Sequence, residues 1–272
     1  MIIGNKNFSD GHTYIMGILN TTPDSFSDGG KFMSADAALH HAERMIDEGA
    51  DIIDVGGEST RPGYTPVDED EEIRRTAPVI EAIKKRLTVP VSIDTSKSRV
   101  AAAALDHGAD MVNDVWGLKH DPDMAGVIKR FDVPACLMHN RMDTDYNDFI
   151  SDVISDINES IAIAESAGIR KDKLIIDPGV GFGKTQEQNL EVLRRLDELH
   201  SLGCPILLGT SRKSVIGNVL GLPPEERVEG TIATSVIAAL KGVMFVRVHD
   251  VKENKRAVKM AEAVLGHLKE VY

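Results

Sequence analysis

Pro205-Ile-Leu-Leu-Gly-Thr-Ser-Arg-Lys213 is an apolar run of strand length that stops at a glycine and then delivers two hydroxyls and two adjacent cations. A strand with Ser211, Arg212 and Lys213 at its carboxyl end is suited to holding something polar. Seven other short apolar runs also end in polar groups: Tyr14–Leu19, Asp51–Val55, Val89–Asp94, Met111–Val115, Pro134–Met138, Lys173–Asp177 and Val243–His249. Amphipathic stretches separate them. The first is capped by Ser34 or Asp36 and runs to about Glu48; the others span about 68–87, 97–107, 123–130, 148–167, 187–202, 226–241 and 252–269. Buried strands alternating with helices imply a parallel sheet covered by helices. Eight units in 272 residues average about 34 residues each, with no linker between halves. That count favours a closed (β/α)8 TIM barrel over an open doubly wound sheet. The expectation is one domain over 1–272, the barrel occupying about 13–270, with residues 1–12 as a short N-terminal arm or hairpin.

Local signals support the helices. The stretch 68–87 opens with acids and closes with Lys84, Lys85 and Arg86, matching the helix dipole. Pro78 falls inside it and predicts a kink rather than a break.

Net charge is −12, from 31 basic and 43 acidic residues, which argues against nonspecific nucleic-acid binding or an anionic membrane surface. No apolar run approaches the roughly 18 residues of a membrane span. The first twelve residues lack the pattern of a signal peptide. Cys136 and Cys204 both adjoin apolar runs and read as reduced core thiols of a cytoplasmic protein.

In such a barrel the active site lies at the carboxyl ends of the strands. Those positions are Asn20, Asp54, Asp94, Asn113, His139, Asp177, Lys213, Arg247 and His249. Each alone has a structural explanation. Asp94 can cap a helix, Asn113 can turn the chain, His139 can be a satisfied core histidine and Asp54 can bond to neighbouring loops. Their convergence on one mouth points to function. Asp94, Asn113 and Asp177 can accept from a planar donor edge, whereas Asn20, Arg61, Arg247 and His249 suit an anion such as phosphate, or its metal. Lys213 lies between these needs. A flat heterocycle deep in the mouth, with a phosphate-like group nearer the rim, fits that division.

Other motifs are weaker. Gly179-Val-Gly-Phe-Gly183 lacks the spacing of a dinucleotide fingerprint, and Gly203 to Lys213 fails the phosphate-loop pattern. The two cysteines do not make a zinc site.

Met16-Gly-Ile-Leu-Asn-Thr-Thr-Pro-Asp-Ser-Phe-Ser-Asp-Gly-Gly30 and Gly56-Gly-Glu-Ser-Thr-Arg-Pro-Gly63 resemble the first two signatures of the dihydropteroate synthase family. Ser92-Ile-Asp-Thr95, Val112-Asn-Asp114, Asp177-Pro-Gly-Val-Gly-Phe182, Gly209-Thr-Ser-Arg-Lys213 and Arg247-Val-His-Asp250 are similar to the remainder, in order. The resemblance covers about 13–255 and implies the same barrel. It implies condensation of 6-hydroxymethyl-7,8-dihydropterin pyrophosphate with 4-aminobenzoate to 7,8-dihydropteroate and pyrophosphate, inhibited by sulfonamides.

By resemblance, Asp94, Asn113, Met138, Asp177, Phe182, Gly209 and Lys213 form the pterin site, with Asp94, Asp177 and Lys213 catalytic. Asn20, Arg61, Arg247 and His249 match the pyrophosphate site, and Asn20 the magnesium ligand. Phe26, Thr60, Pro62, Lys213 and Ser214 match positions that line the aminobenzoate site. The loops 20–30 and 56–66 are expected to close over the mouth. Thr21, where many relatives carry valine, and Asn140-Arg141-Met142 depart from the pattern without touching this chemistry.

The alternative enzyme is a pterin-binding methyltransferase domain, which needs neither Ser-Thr-Arg-Pro nor Ser-Arg-Lys. A silent pterin-binding paralogue is the alternative from outside enzymology, and the intact Asn20, Asp94, Asp177 and Lys213 argue against it. Family members commonly form homodimers. The apolar residues Ile232, Val236, Ile237, Leu240, Val264, Leu265 and Leu268 fit a dimer face, though barrel packing is the simpler expectation for them.

Overall fold

The computed structural model describes residues 1–21, 35–58 and 67–267. Strands β1 (Ile2–Ile3) and β2 (Lys6–Asn7) pair antiparallel as a small hairpin. Eight parallel strands follow: β3 (Tyr14–Asn20), β4 (Ile52–Gly56), β5 (Val91–Asp94), β6 (Met111–Asp114), β7 (Ala135–Met138), β8 (Leu174–Asp177), β9 (Leu207–Gly209) and β10 (Phe245–Val248). The sheet runs β8-β7-β6-β5-β4-β3-β10-β9, and a parallel bridge between Ile176 and Ile206 joins its two ends. The (β/α)8 barrel expected from the eight repeats is therefore present and closed.

Strand side chains alternate between faces, and the alternation builds two cores. Ile53, Val55, Val91, Ile93, Val112, Leu137, Ile176, Leu208 and Val246 point out into the main cluster under the helices. Met16, Ile52, Met111, Cys136, Ile175, Leu207 and Phe245 point in, forming a second cluster with Ile3 and Phe8 of the hairpin arm. Phe8 is fully buried, with its ring centroid 4.8 Å from that of Tyr14 and 5.3 Å from that of Phe245. Lys6 Nζ bonds Asp51 Oδ1 at 2.7 Å, tying the arm to the foot of β4. The arm thus floors the barrel at its amino-terminal end.

The helices are α1 (Ala35–Asp47), α2 (Glu69–Arg86), α3 (Ser98–Asp106), α4 (Met124–Phe131), α5 (Phe149–Ser166), α6 (Gln186–Arg194), α7 (Ser214–Leu220), α8 (Val228–Leu240) and α9 (Val251–Val264). Asp68 caps α2 by accepting from Asp70 N at 2.9 Å, and the helix continues through Pro78. Three expectations need correction. The helix expected over 187–202 ends at Arg194, and Leu196–Leu202 tightens into a 3-10 helix. Leu196, Leu199 and Leu202, three residues apart and all buried, share one face only at three residues per turn. Helix α7 occupies what was expected to be loop; it buries Val215 and Ile216 and stops at Gly221, whose φ of 69° suits glycine. Finally, Ile237, Leu240, Val264 and Leu265 are exposed and do not pack on the barrel. There α8 uses the small residues Thr231, Ser235, Ala238 and Ala239, and α9 uses Val251, Asn254, Val258 and Ala261.

Candidate active site

Two residues along from the inward layer that floors the barrel, seven of the eight strands place a side chain, or the bare Gly209, in the site. Ile52 is followed by Asp54, Ser92 by Asp94, Met111 by Asn113, Cys136 by Met138, Ile175 by Asp177, Leu207 by Gly209 and Phe245 by Arg247. The register pairs Asp94 with Asn113, Met138 with Asp177 and Gly209 with Arg247 on adjacent strands. A polar layer therefore sits directly on an apolar floor, and the strand period of two generates it.

Arg247 organises one side of this layer. Its Nε donates to Asp54 Oδ2 at 2.5 Å and an Nη to Asp94 Oδ2 at 2.6 Å. Asn113 Nδ2 donates to the same Asp54 oxygen at 3.2 Å, which leaves the amide oxygen of Asn113 as its free acceptor. Asp54 Oδ1, Asp94 Oδ1 and Ser92 Oγ are buried without a hydrogen-bond partner among the described residues. Unpaired buried acceptors are costly, and their clustering marks a place prepared for donors from a ligand. Burial pushes the Asp94 carboxyl up to about 7, against the opposing pull of Arg247.

Asp177 and Lys213 organise the other side. Asp177 Oδ1 accepts from Gly179 N at 2.7 Å, while Oδ2 lies 3.7 Å from the place where a side chain on Gly209 would begin. The same point is 3.9 Å from Lys213 Nζ and 3.9 Å from Arg247 Cβ, so the bare glycine joins the two halves of the site. Lys213 Nζ donates to Val180 O at 2.6 Å and stands 4.7 Å from the centre of the Phe182 ring. Burial lowers its pKa to about 8, and burial likewise raises Asp177, with Lys213 pulling the other way.

The glycine-rich turn that delivers Lys213 is itself restrained. Arg212 adopts a φ of 57°, rare for a side-chain-bearing residue, and its guanidinium turns away to pair with Asp250. Lys213 is left to enter the barrel, and Ser214 begins α7 beside it, exposed. Ser211 Oγ lies 2.9 Å from His249 Nδ1 and accepts from His249 N at 3.1 Å, which ties β9 to β10 at the rim. Asn20 ends β3, its Oδ1 lying 3.6 Å from where a side chain on Gly56 would start, with Asp94 Cβ 3.7 Å from the same point.

Asn20, Asp94, Asn113, Met138, Asp177, Phe182, Gly209, Lys213 and Arg247 thus meet at one mouth, with His249 and Ser214 at its edge. Phe26, Thr60, Arg61 and Pro62 lie outside the described residues, as does most of the two long loops. His139 is a structural histidine, as its isolated reading anticipated: buried, with Nε2 2.9 Å from Asp156 Oδ2. Asp94 caps no helix; Lys97 holds that position in α3.

Two groups to which the motif resemblance gave no role emerge. Asp54 lies one step below the strand end, and only its bond to Arg247 reveals its part. Lys97 grips both flanks of residues 59–66 by bonding Glu58, Val67 O at 2.7 Å and the buried Glu72 at 2.7 Å. Burial raises Glu72, with Lys97 drawing it back.

Known proteins match this arrangement. Residues 16–249 fit the family model described as pterin binding enzyme. The chain is 58% identical to a dihydropteroate synthase of Clostridium beijerinckii, over 97% of this chain and 99% of the relative. It is 56% identical to that of Bacillus subtilis, over 93% and 89%. A dihydropteroate synthase from Clostridium difficile, solved in the presence of pteroic acid, superposes with a TM-score of 0.92 at 57% identity, covering 95% of this chain and 99% of that one. The Xanthomonas albilineans enzyme with 4-aminobenzoic acid superposes at 0.90 with 44% identity, covering 93% of each chain. With the family model matched over residues 16–249 and 44–58% of its residues identical to these relatives, the chain belongs to the pterin-binding enzymes and, within them, to the dihydropteroate synthase family.

Proposed function

We propose that the polar layer binds 6-hydroxymethyl-7,8-dihydropterin pyrophosphate and transfers its pterinylmethyl group to 4-aminobenzoate, giving 7,8-dihydropteroate and pyrophosphate. The observation that carries this assignment is the charge arrangement of the mouth. Asp54, Asp94 and Asp177 face Lys213 and Arg247, so full ionisation leaves one uncompensated negative charge beside unpaired acceptors.

Pterin recognition follows from what each group has left to give. Asp177 Oδ2 and the free oxygen of Asn113 accept from the planar N–H edge of the ring. Lys213 donates to a ring carbonyl or nitrogen, its ammonium held between Val180 O and Phe182. Gly209, without a side chain, leaves room beside Asp177 Oδ2 and Lys213 Nζ, and Met138 is assigned to the wall of the ring's slot. Departure of pyrophosphate leaves a cation delocalised into the ring, and Asp94 and Asp177 stabilise that charge in a site already preorganised for it. The aromatic amine attacks as a neutral nucleophile, so the chemistry needs no strong base.

Pyrophosphate is assigned to Asn20, Arg61, Arg247 and His249, and 4-aminobenzoate to Phe26, Thr60, Pro62, Lys213 and Ser214. Arg247 brings only part of its charge to an anion, because two of its donors already serve Asp54 and Asp94. Magnesium is assigned to Asn20. No cluster of three or more His, Cys, Asp or Glu side chains forms a metal cage among the described residues. A single amide oxygen at the mouth fits an ion that takes its other ligands from phosphate and water. When bound, the ion would neutralise charge on the leaving group.

A homodimer is supported by the exposed Ile237 and Leu240 on α8, Met260 and Val264 on α9, and Leu265 just after it. Among the described residues no helix is long and apolar enough to cross a membrane. A cytoplasmic location is supported by Cys136 and Cys204, both buried and unpaired.

The test is an assay of the purified protein with the pterin pyrophosphate, 4-aminobenzoate and magnesium. Formation of dihydropteroate with matching pyrophosphate is expected, and its absence would refute the assignment.

A further inference from the structure

The geometry points to Lys184 as a positioning residue for the pterin: from behind the barrel mouth it fixes the turn 179–182 whose front face seats Lys213. The inference rests on the pterin site proposed above and adds a residue to it.

The turn closes on a backbone bond from Phe182 N to Gly179 O at 3.1 Å, and Asn189 Oδ1 accepts from Gly181 N at 2.6 Å. Gly179, Gly181 and Gly183 all have positive φ, at 68°, 87° and 52°, so three of five consecutive residues contribute no side chain. Glycines in such conformations are free in the unfolded chain and must be fixed by other groups. Lys184 supplies much of that restraint. Its Nζ donates to Gly179 O and Phe182 O, each at 3.1 Å, and lies 2.7 Å from His139 Nδ1. An ammonium has three N–H groups, and these three acceptors use all of them.

The acceptor role of His139 Nδ1 is fixed in turn. With the ring proton on Nε2, His139 donates to Asp156, 2.9 Å away. Arg141 grips that carboxylate from the other side, with Nε at 2.5 Å from Oδ2 and an Nη at 3.1 Å from Oδ1. A relay of charged and polar groups therefore runs from Arg141 through Asp156 and His139 to Lys184 and ends on two backbone carbonyls.

On its opposite face the same turn carries everything that touches Lys213 from this side. Val180 O accepts from Lys213 Nζ, the Phe182 ring lies beside it, and Gly179 N orients Asp177 Oδ1. Without Lys184, Phe182 O loses its donor and Gly179 O keeps only the N–H of Phe182, so the turn can relax. Lys213 and Asp177 then lose their fixed separation, although neither touches Lys184 through a hydrogen bond.

The test uses the full chain carrying Lys184→Met, with binding of the dihydropterin pyrophosphate followed by calorimetry. Affinity should fall about tenfold or more. In a Lys213→Ala background the same substitution should weaken pterin binding by less than about twofold, because the seated group is already gone. Should methionine unfold the protein, Lys184→Gln retains two donors and should weaken pterin binding about threefold. Unchanged pterin affinity or full additivity with Lys213→Ala would overturn the inference. Calorimetry reads binding without turnover, so failure of the wild-type protein to make dihydropteroate would count against the proposed reaction and not against the role of Lys184.

Discussion

Arg247 on β10 reaches past β3 and β4 to donate to Asp94 on β5 at 2.6 Å, while its Nε holds Asp54 at 2.5 Å. One guanidinium thus keeps two buried carboxylates together. Removing one partner from such a group leaves uncompensated charge in a poorly solvated place, typically costing about 3–5 kcal/mol. Arg247→Met is expected to destabilise the protein by that order in urea denaturation. A change under about 1 kcal/mol would mean that the carboxylates are neutral in the native protein.

The pH profile follows from the same carboxyl group. Burial raises Asp94 to about 7, far above its unfolded value. Its contribution to stability is therefore fully present below about pH 4 and is lost as pH rises through about 7. Activity runs the other way, because only the carboxylate stabilises a cation. With Lys213 lowered to about 8 and active when protonated, kcat/KM should be bell-shaped with limbs near these two values. A flat profile across about pH 6 to 9 would remove both groups from the titrating machinery.

Asp177→Asn keeps the shape of the side chain but replaces one of its two acceptor oxygens with a donating NH2 group. With Oδ1 already bonded to Gly179 N, the amide end would face the ligand. An unsatisfied donor costs about 1–3 kcal/mol, roughly ten- to hundredfold in affinity. Calorimetric titration with the pterin pyrophosphate measures this directly, and unchanged affinity would dismiss the pairing.

Lys97→Met should be among the more damaging changes away from the mouth. Glu72 is only 1% exposed, and Lys97 is its charged partner at 2.7 Å. The expected loss is about 3–5 kcal/mol, and adding Glu72→Leu should restore part of it, since an apolar pair avoids the stranded charge. Unfolding midpoints of the single and double variants decide the matter; a double variant no better than the single would place the damage elsewhere.

Much of this was legible in the sequence because the barrel converts local order into spatial order. The period of two within a strand puts Asp94, Asn113, Asp177 and Arg247 on the inner face, and eight repeats bring those faces together. Fold and mouth therefore followed from apolar runs and what ends them, and the motif resemblance gave the chemistry. What escaped were relations between elements. Asp54 is defined by Arg247, 193 positions away, and Lys184 by His139, 45 positions away. Neither partner lies on the same element. The short α7 was missed for another reason, because seven residues carry too little periodicity, although Gly221 marked its end.

The hairpin arm has one more consequence. With Phe8 and Ile3 stoppering the amino-terminal end, the barrel is a cup and not a tube. Among the described residues, the polar layer therefore faces the carboxyl-terminal side of the barrel and has the apolar floor and the arm beneath it. On the proposed assignment, a ring resting on that layer is expected to be reached from the rim side alone, and calorimetric titration of the two substrates in either order checks it.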